Sequence, residues 1–220
     1  MNVVVIAAHP DDEILGVGGT VAAHVAKGDQ VRLAVMCEGV SSRYSAERDG
    51  EIRRQATEAA GILGVKDVVL GNLPDQKLDT LPLGDVVKQV ERVMTELSPE
   101  VIYTHFAGDI NRDHRVLAEA VLVAARPYSI SSAKEILMFE TPSSTEWSSP
   151  SLTTPFQPNV YVDIAEFLQR KIDAFTRYTA EVREFPHPRS PEALKDRARY
   201  WGSLVNRQSA EAFVLVRSTR

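Results

Sequence analysis

Cysteine is almost absent from this chain: Cys37 is the only one in 220 residues. A single thiol excludes an intramolecular disulfide and makes a reducing compartment, the cytoplasm, the expected location. Basic charge is short as well, with 25 Lys and Arg against 30 Asp and Glu, for a net charge of −5. That balance gives no electrostatic reason to expect nucleic acid or an anionic membrane as a partner. No apolar run approaches the roughly 20 residues that span a bilayer. The opening MNVVVIAA has no basic n-region or cleavage signature, so it does not read as a signal peptide. Internal repeats and low-complexity tracts are missing too. What remains is ordinary globular composition, 44% hydrophobic and 25% charged. The length suits one domain with a buried core, and residues 1–220 are read as that domain. Self-association into a homo-oligomer is left open.

Short β-branched runs alternate with longer amphipathic patterns. Strands are expected at 3–6, 31–36, 68–70, 101–104, 135–139, 160–162 and 212–216. Helices are expected at 14–27, about 46–63, 83–97, about 114–125, about 164–178 and 191–205. Residues 141–158, rich in Ser, Thr and Pro, read as an irregular surface excursion. The alternation predicts an α/β fold: a single-domain, Rossmann-like three-layer α/β/α arrangement with a mostly parallel sheet and right-handed crossovers. Such sheets bind ligands beyond the carboxyl ends of their strands, at a topological switch point. Two unusual polar clusters, AHPDDE (residues 8–13, after Ala7) and HFAGDINRDH (105–114), each follow an expected strand. They should meet at one edge of the sheet.

Three consecutive carboxylates repel one another, and a bound cation would make their closeness worthwhile. His9 offers an imidazole nitrogen, Asp12 a carboxylate and His114 a further nitrogen. Two histidines and one carboxylate leave a coordination position open for water, the pattern of a catalytic zinc site with one ion per chain. Zinc lowers the pKa of that water toward about 7 and polarises a substrate carbonyl. Asp11, left out of the ligand set, can take the water's proton as general base. A plainer account competes: Asp-Asp-Glu at a helix start serves as an N-cap with first-turn acids, and Asp113 caps a helix beside a surface histidine. A cap explains one cluster but not the convergence of two.

AHPDDE after the first strand, together with NRDHR opening a later helix, resembles the PIG-L/LmbE-like family of zinc-dependent N-acetylglucosamine deacetylases. The likeness continues through CEGVSSR, STEW, FPHPRS and the terminal AEAF. The resemblance implies zinc ligands at His9, Asp12 and His114, Asp11 as base, and an N-acetylated sugar conjugate as the small-molecule substrate. One departure matters. Many members carry a histidine three residues before the last ligand, and this chain has Asn111. Asparagine can donate to an oxyanion but cannot act as a general acid. The proton for the leaving amine must then come from His105, which ends a strand at the correct edge, from His187 between two prolines, or from Asp11 itself.

Arg43, in the loop GVSSR, could pair with a phosphate or with sugar hydroxyls or could be merely solvated. Arg53 and Arg54 read as a solvated helix face, and the GVGGT glycines (16–20) as small residues that bring the first helix close to the sheet. The spacing of those glycines does not fit a dinucleotide fingerprint. The expected activity is therefore hydrolysis of the acetamide of an N-acetylglucosamine-type sugar. A non-catalytic Rossmann-like sugar- or nucleotide-binding module and a metal-dependent phosphoesterase are the alternatives. The phosphoesterase would usually want two metals bridged by carboxylates.

Overall fold

In a computed structural model, residues 1–39, 49–128 and 133–219 are described; Arg43 lies outside them. Side chains alternate along a strand, so in β1 (Asn2–Ala7) Val3, Val5 and Ala7 enter one layer of core and Val4 and Ile6 the other. All five are fully buried, and a strand that is apolar on both faces must be covered on both. Helices α1 (Asp12–Ala26), α2 (Asp49–Leu63) and α5 (Leu168–Phe175) cover one face. Helices α3 (Leu83–Leu97) and α4 (Arg112–Ala124) cover the other. The last helix is α6 (Pro191–Leu204), started by Ser190, whose hydroxyl accepts from the Ala193 amide.

The sheet contains β2 (Gln30–Cys37), β3 (Asp67–Leu73), β4 (Val101–His105), β5 (Glu135–Phe139), β6 (Val160–Asp163) and β7 (Ala210–Ser218), in the order β3-β2-β1-β4-β5-β7-β6. The five strands from β3 to β5 are mutually parallel, and β7 runs antiparallel to both of its neighbours. The mostly parallel three-layer expectation holds. From β1 the chain steps outward to β2 and β3, then returns to the far side of β1 as β4. The switch point is thus between β1 and β4, the two strands that AHPDDE and HFAGDINRDH follow.

Helix α1 lies close to the sheet because it has no side chain where they would meet. A Cβ at Gly16 would stand 2.1 Å from the Phe139 ring, and one at Gly19 would stand 2.8 Å from Ile164. The packing expectation for GVGGT is met.

Several expected boundaries shift. The helix expected over 164–178 is only α5, with turns on either side, and the later turn brings the Tyr178 hydroxyl to the Glu13 carboxylate. Strand β3 continues through the polar GN pair to Leu73, paired with β2 across a register shift. Arg53 is not a solvated face residue: it donates to the Leu70 and Gly71 carbonyls at 3.2 and 2.9 Å. The 141–158 excursion is not all surface, since Thr141, Ser144 and Thr145 are buried around a 3₁₀ turn at Thr145–Trp147. Among the described residues no helix is long and apolar enough to cross a membrane.

Candidate metal centre

Beyond β1 the chain turns through His9 and Pro10 into α1. Asp11 occupies the N-cap position, yet its side chain caps nothing. Its backbone has φ 108°, a left-handed conformation for a residue with a Cβ, and such strain costs on the order of 1–3 kcal/mol and gathers at functional sites. Glu13 turns back to accept the Asp11 amide at 3.0 Å, while Asp12 accepts the His9 amide at 2.9 Å. The simple N-cap account therefore fails for Asp11, whose carboxylate instead faces a cavity of about 810 Å³.

Three donor atoms face one another there. His9 Nδ1 lies 3.1 Å from Asp12 Oδ2 and 3.2 Å from His114 Nε2, and His114 Nε2 lies 3.2 Å from Asp12 Oδ2. Ligands about 2.0–2.1 Å from a tetrahedral ion stand roughly 3.3–3.4 Å apart, so this near-equilateral triangle fits one face of such a site. The far nitrogen of each histidine lies beside a carboxylate, the usual setting of a metal-binding histidine. His9 Nε2 is 3.1 Å from Asp113 Oδ2 and 3.3 Å from Asp75 Oδ1, and His114 Nδ1 is 3.3 Å from Asp109 Oδ2. Asp109 is itself held by the Ser144 and Thr145 hydroxyls. Each imidazole is thereby turned with a nitrogen toward the triangle. A second donor group, His9, Cys37 and Asp113, is also close enough to hold an ion. It shares His9, however, and burial pushes the Cys37 thiol far above its ordinary value, which disfavours the thiolate.

The electrostatics favour positive charge at this point. Burial opposes a charged His9, but the Asp113 and Asp12 carboxylates push its imidazole up to about 10. Burial likewise opposes a charged Asp12, yet His114 and His105 hold it well below the usual carboxylate range. Asp11 goes the other way: burial raises it well above that range, although the Arg189 guanidinium pulls it down.

Asn111, His187, Asp11, Asp12, His9 and His114 all line the cavity. Asn111 is the N-cap of α4, where its Oδ1 accepts the Asp113 amide at 2.9 Å. That bond fixes the orientation of its amide and leaves Nδ2 as the donor it can offer. His187 Nδ1 accepts the Arg189 amide at 3.0 Å, which puts the proton of a neutral ring on Nε2. Burial and the nearby Arg189 lower its pKa.

His105 departs from expectation. It is fully buried and does not line the cavity. Its Nε2 accepts the Ala8 amide at 2.9 Å, so Nδ1 carries the proton and faces Thr141 Oγ1 at 3.1 Å. The ring stacks on His114 with centroids 3.9 Å apart. Burial and His114 hold its pKa well below 6.5. The ring forms a wall behind the donor triangle rather than part of the cavity lining.

Sequence reasoning missed Arg189, whose Nη1 donates to Asp11 Oδ2 at 3.1 Å and to Glu181 Oε2 at 2.7 Å, with Nε on Ser143 Oγ at 2.7 Å. It also missed Asp75, Asp109 and Asp113. The need of each ligating histidine for a carboxylate partner was the signal for the last two, since both sit inside HFAGDINRDH.

Comparison with known proteins bears on the family and the fold. Residues 4–125 match the family model PIG-L, described as GlcNAc-PI de-N-acetylase. The uncharacterized deacetylase YaiS of Escherichia coli (strain K12) is 30% identical over 172 residues, covering 75% of this chain and 83% of that protein. Among solved structures, N,N'-diacetylchitobiose deacetylase from Pyrococcus horikoshii superposes with TM-score 0.77 at 21% identity, over 97% of this chain and 83% of that one. GalB, the 4-carboxy-2-hydroxymuconate hydratase from Pseudomonas putida KT2440, also superposes with TM-score 0.77 at 21% identity, over 100% and 99% of the two chains. Likeness at that level establishes the fold, which hosts more than one reaction. The match over more than half of the chain establishes more: this protein belongs to the PIG-L family of deacetylases.

Proposed function

We propose that this chain is a zinc-dependent N-deacetylase, removing the acetyl group from an N-acetylglucosamine-type sugar or sugar conjugate. Residues 1–220 would act as one deacetylase domain in the cytoplasm. The observation that carries this reading is the His9–Asp12–His114 triangle sharing a cavity with the Asp11 carboxylate. The family description and the disaccharide deacetylase among the structural neighbours support the choice of an acetylated sugar.

His9, Asp12 and His114 would hold the zinc ion, which when bound supplies Lewis acidity, acidifying water and polarising a carbonyl. The remaining work belongs to the chain's own side chains. Asp11, steadied by Arg189, takes the proton of the attacking water. Asn111 Nδ2 and His187 Nε2 offer N–H donors to the amide oxygen as it gains charge. The leaving amine needs a proton. His105 is sealed behind the ligands, and His187 Nδ1 is already committed to the Arg189 amide. Asp11 is left, returning the proton it took.

A two-metal phosphoesterase is disfavoured, because the second donor group borrows His9 from the first and includes a protonated thiol. A plain binding module gives no account of a strained carboxylate held beside the triangle. The deciding experiment is an amine-release assay of the zinc-loaded protein across N-acetylglucosamine conjugates. Release that disappears on chelation and returns with zinc is expected, and no release from any acetylated sugar overturns the reading.

A further inference from the structure

The cavity is lined mostly by polar and charged side chains. Glu51, Gln55, Asp75, Gln76 and Asp79 line its walls, yet two large apolar side chains stand at its rim in the open: Trp147, 55% exposed, and Ile110, 48% exposed. Neither can be put down to packing. Each is also tied to the donor triangle through a short stretch of backbone. Ile110 immediately precedes Asn111, the cap of α4.

Trp147 ends the 3₁₀ turn whose preceding residues hold Asp109, the carboxylate beside His114. Thr145 Oγ1 donates to Asp109 Oδ2 at 2.6 Å, and the Ser144 hydroxyl donates to the other oxygen. Glu146 fastens the same turn, accepting the Ser143 amide at 2.9 Å and Arg197 Nη2 at 2.9 Å. The indole meets the His187 ring edge to face, with centroids 6.1 Å apart and planes at 84°. A large aromatic is thus held on a braced turn, in register with the metal-ligand set.

We propose that Trp147 is a stacking platform for a second ring of the substrate, attached to the N-acetyl sugar whose acetamide lies at the donor triangle. The inference rests on the deacetylase reading and adds a substrate class to it: conjugates carrying a ring with a flat apolar face, either another pyranose or an aromatic aglycone. Both sources present the same surface to an indole, C–H bonds or a π-face, and Ile110 adds a second exposed apolar side chain to the lining. A cavity of about 810 Å³ sits high in the range for sites that enclose drug-sized ligands, which leaves room for more than one ring. Two isolated apolar side chains are too small a patch for a protein partner.

The test compares the zinc-loaded parent with Trp147→Ala and Trp147→Phe on three probes: N-acetylglucosamine, its β-1,4-linked disaccharide, and its phenyl β-glycoside. The parent should show a KM about tenfold lower for at least one ring-bearing probe than for the monosaccharide, the size of one good aromatic contact. Whichever ring-bearing probe is preferred identifies the source of the ring. In Trp147→Ala that KM ratio should fall toward one while zinc content holds, and Trp147→Phe should keep most of it. A parent without preference for either ring, or a preference that survives in Trp147→Ala, overturns the proposal.

Binding of the non-acetylated glucosamine and its disaccharide separates this from the reaction itself. It can be followed at the indole N–H resonances of the two tryptophans, assigned with Trp147→Phe. Tighter disaccharide binding that moves the Trp147 resonance, in a protein that releases no amine, keeps the platform and removes the deacetylase. Amine release without any ring preference does the reverse.

Discussion

Arg189 Nη1 lies 3.1 Å from Asp11 Oδ2, linking residues 178 positions apart. The same nitrogen reaches Glu181, and Nε reaches Ser143, so the guanidinium is fixed on three sides. Its effect is to aim one carboxylate oxygen of Asp11 while offsetting part of that group's burial. Arg189→Met keeps most of the stem's volume and removes the fork. It should lower kcat by about 10- to 100-fold, as expected when a catalytic group is misplaced by an ångström or so. Zinc content should be unchanged, because Arg189 touches none of the three donor atoms. A variant with parental kcat would remove Arg189 from the positioning of the base.

The two adjacent aspartates should separate cleanly. Asp12 Oδ2 is a vertex of the donor triangle and Asp11 is not. Asp12→Ala should therefore lose the metal along with activity. Asp11→Asn should keep about one zinc per chain and lose activity by about two to four powers of ten, the usual worth of a general base. Metal analysis after dialysis, read next to kcat, checks both, and the opposite pattern would reverse the assignment.

Much of this site was legible because its ligands sit in two short runs that follow central strands. Hydrophobic alternation located β1 and β4, and α/β topology then brought the runs together at the switch point. The second layer was less legible. Arg189 reaches Asp11 from a turn before α6, and nothing local to FPHPRS announces that contact. His105 was misplaced for a different reason. It ends β4 at the correct edge, but every residue of that strand is buried, and the Ala8 amide draws the ring inward rather than into the cavity. A strand end fixes which edge a residue reaches, not whether its side chain faces solvent.

His105 and His187 make opposite predictions. His105→Ala should weaken zinc affinity by about 10- to 100-fold, the usual cost of losing a supporting contact to a metal ligand, because the ring braces His114 and the Ala8 amide. A chelator competition measures this directly, and parental affinity would contradict the bracing role. Burial and Arg189 lower the pKa of His187, so the ring sheds its proton more readily than an ordinary imidazole and is poorly suited to set a basic limb in the rate profile. The basic limb should therefore survive His187→Gln, where the Gln amide can still donate. Loss or displacement of that limb would make His187 the acid after all.

Asn111 does two jobs with two atoms, and substitutions can part them. Its Oδ1 caps α4 by accepting the Asp113 amide, and its Nδ2 is the donor available to the cavity. Asn111→Ala loses both. Stability should fall by about 1 kcal/mol, the usual cost of losing a cap. Transition-state stabilisation should fall by about 3 to 4 kcal/mol at most, as for other oxyanion donors. Asn111→Asp separates the effects, because a carboxylate still accepts the Asp113 amide, at a helix start where negative charge is favoured. Denaturant midpoints should then stay near the parent's, although Asp113 and Asp109 nearby will temper the gain from the helix dipole. Activity should nonetheless fall at least as far as in Asn111→Ala, since the donor has been replaced by an anion facing the oxygen that gains charge. If Asn111→Asp is as fast as the parent, Nδ2 is no oxyanion donor. Asn111 would then be only a helix cap, and His187 Nε2 the donor that remains on that side of the cavity.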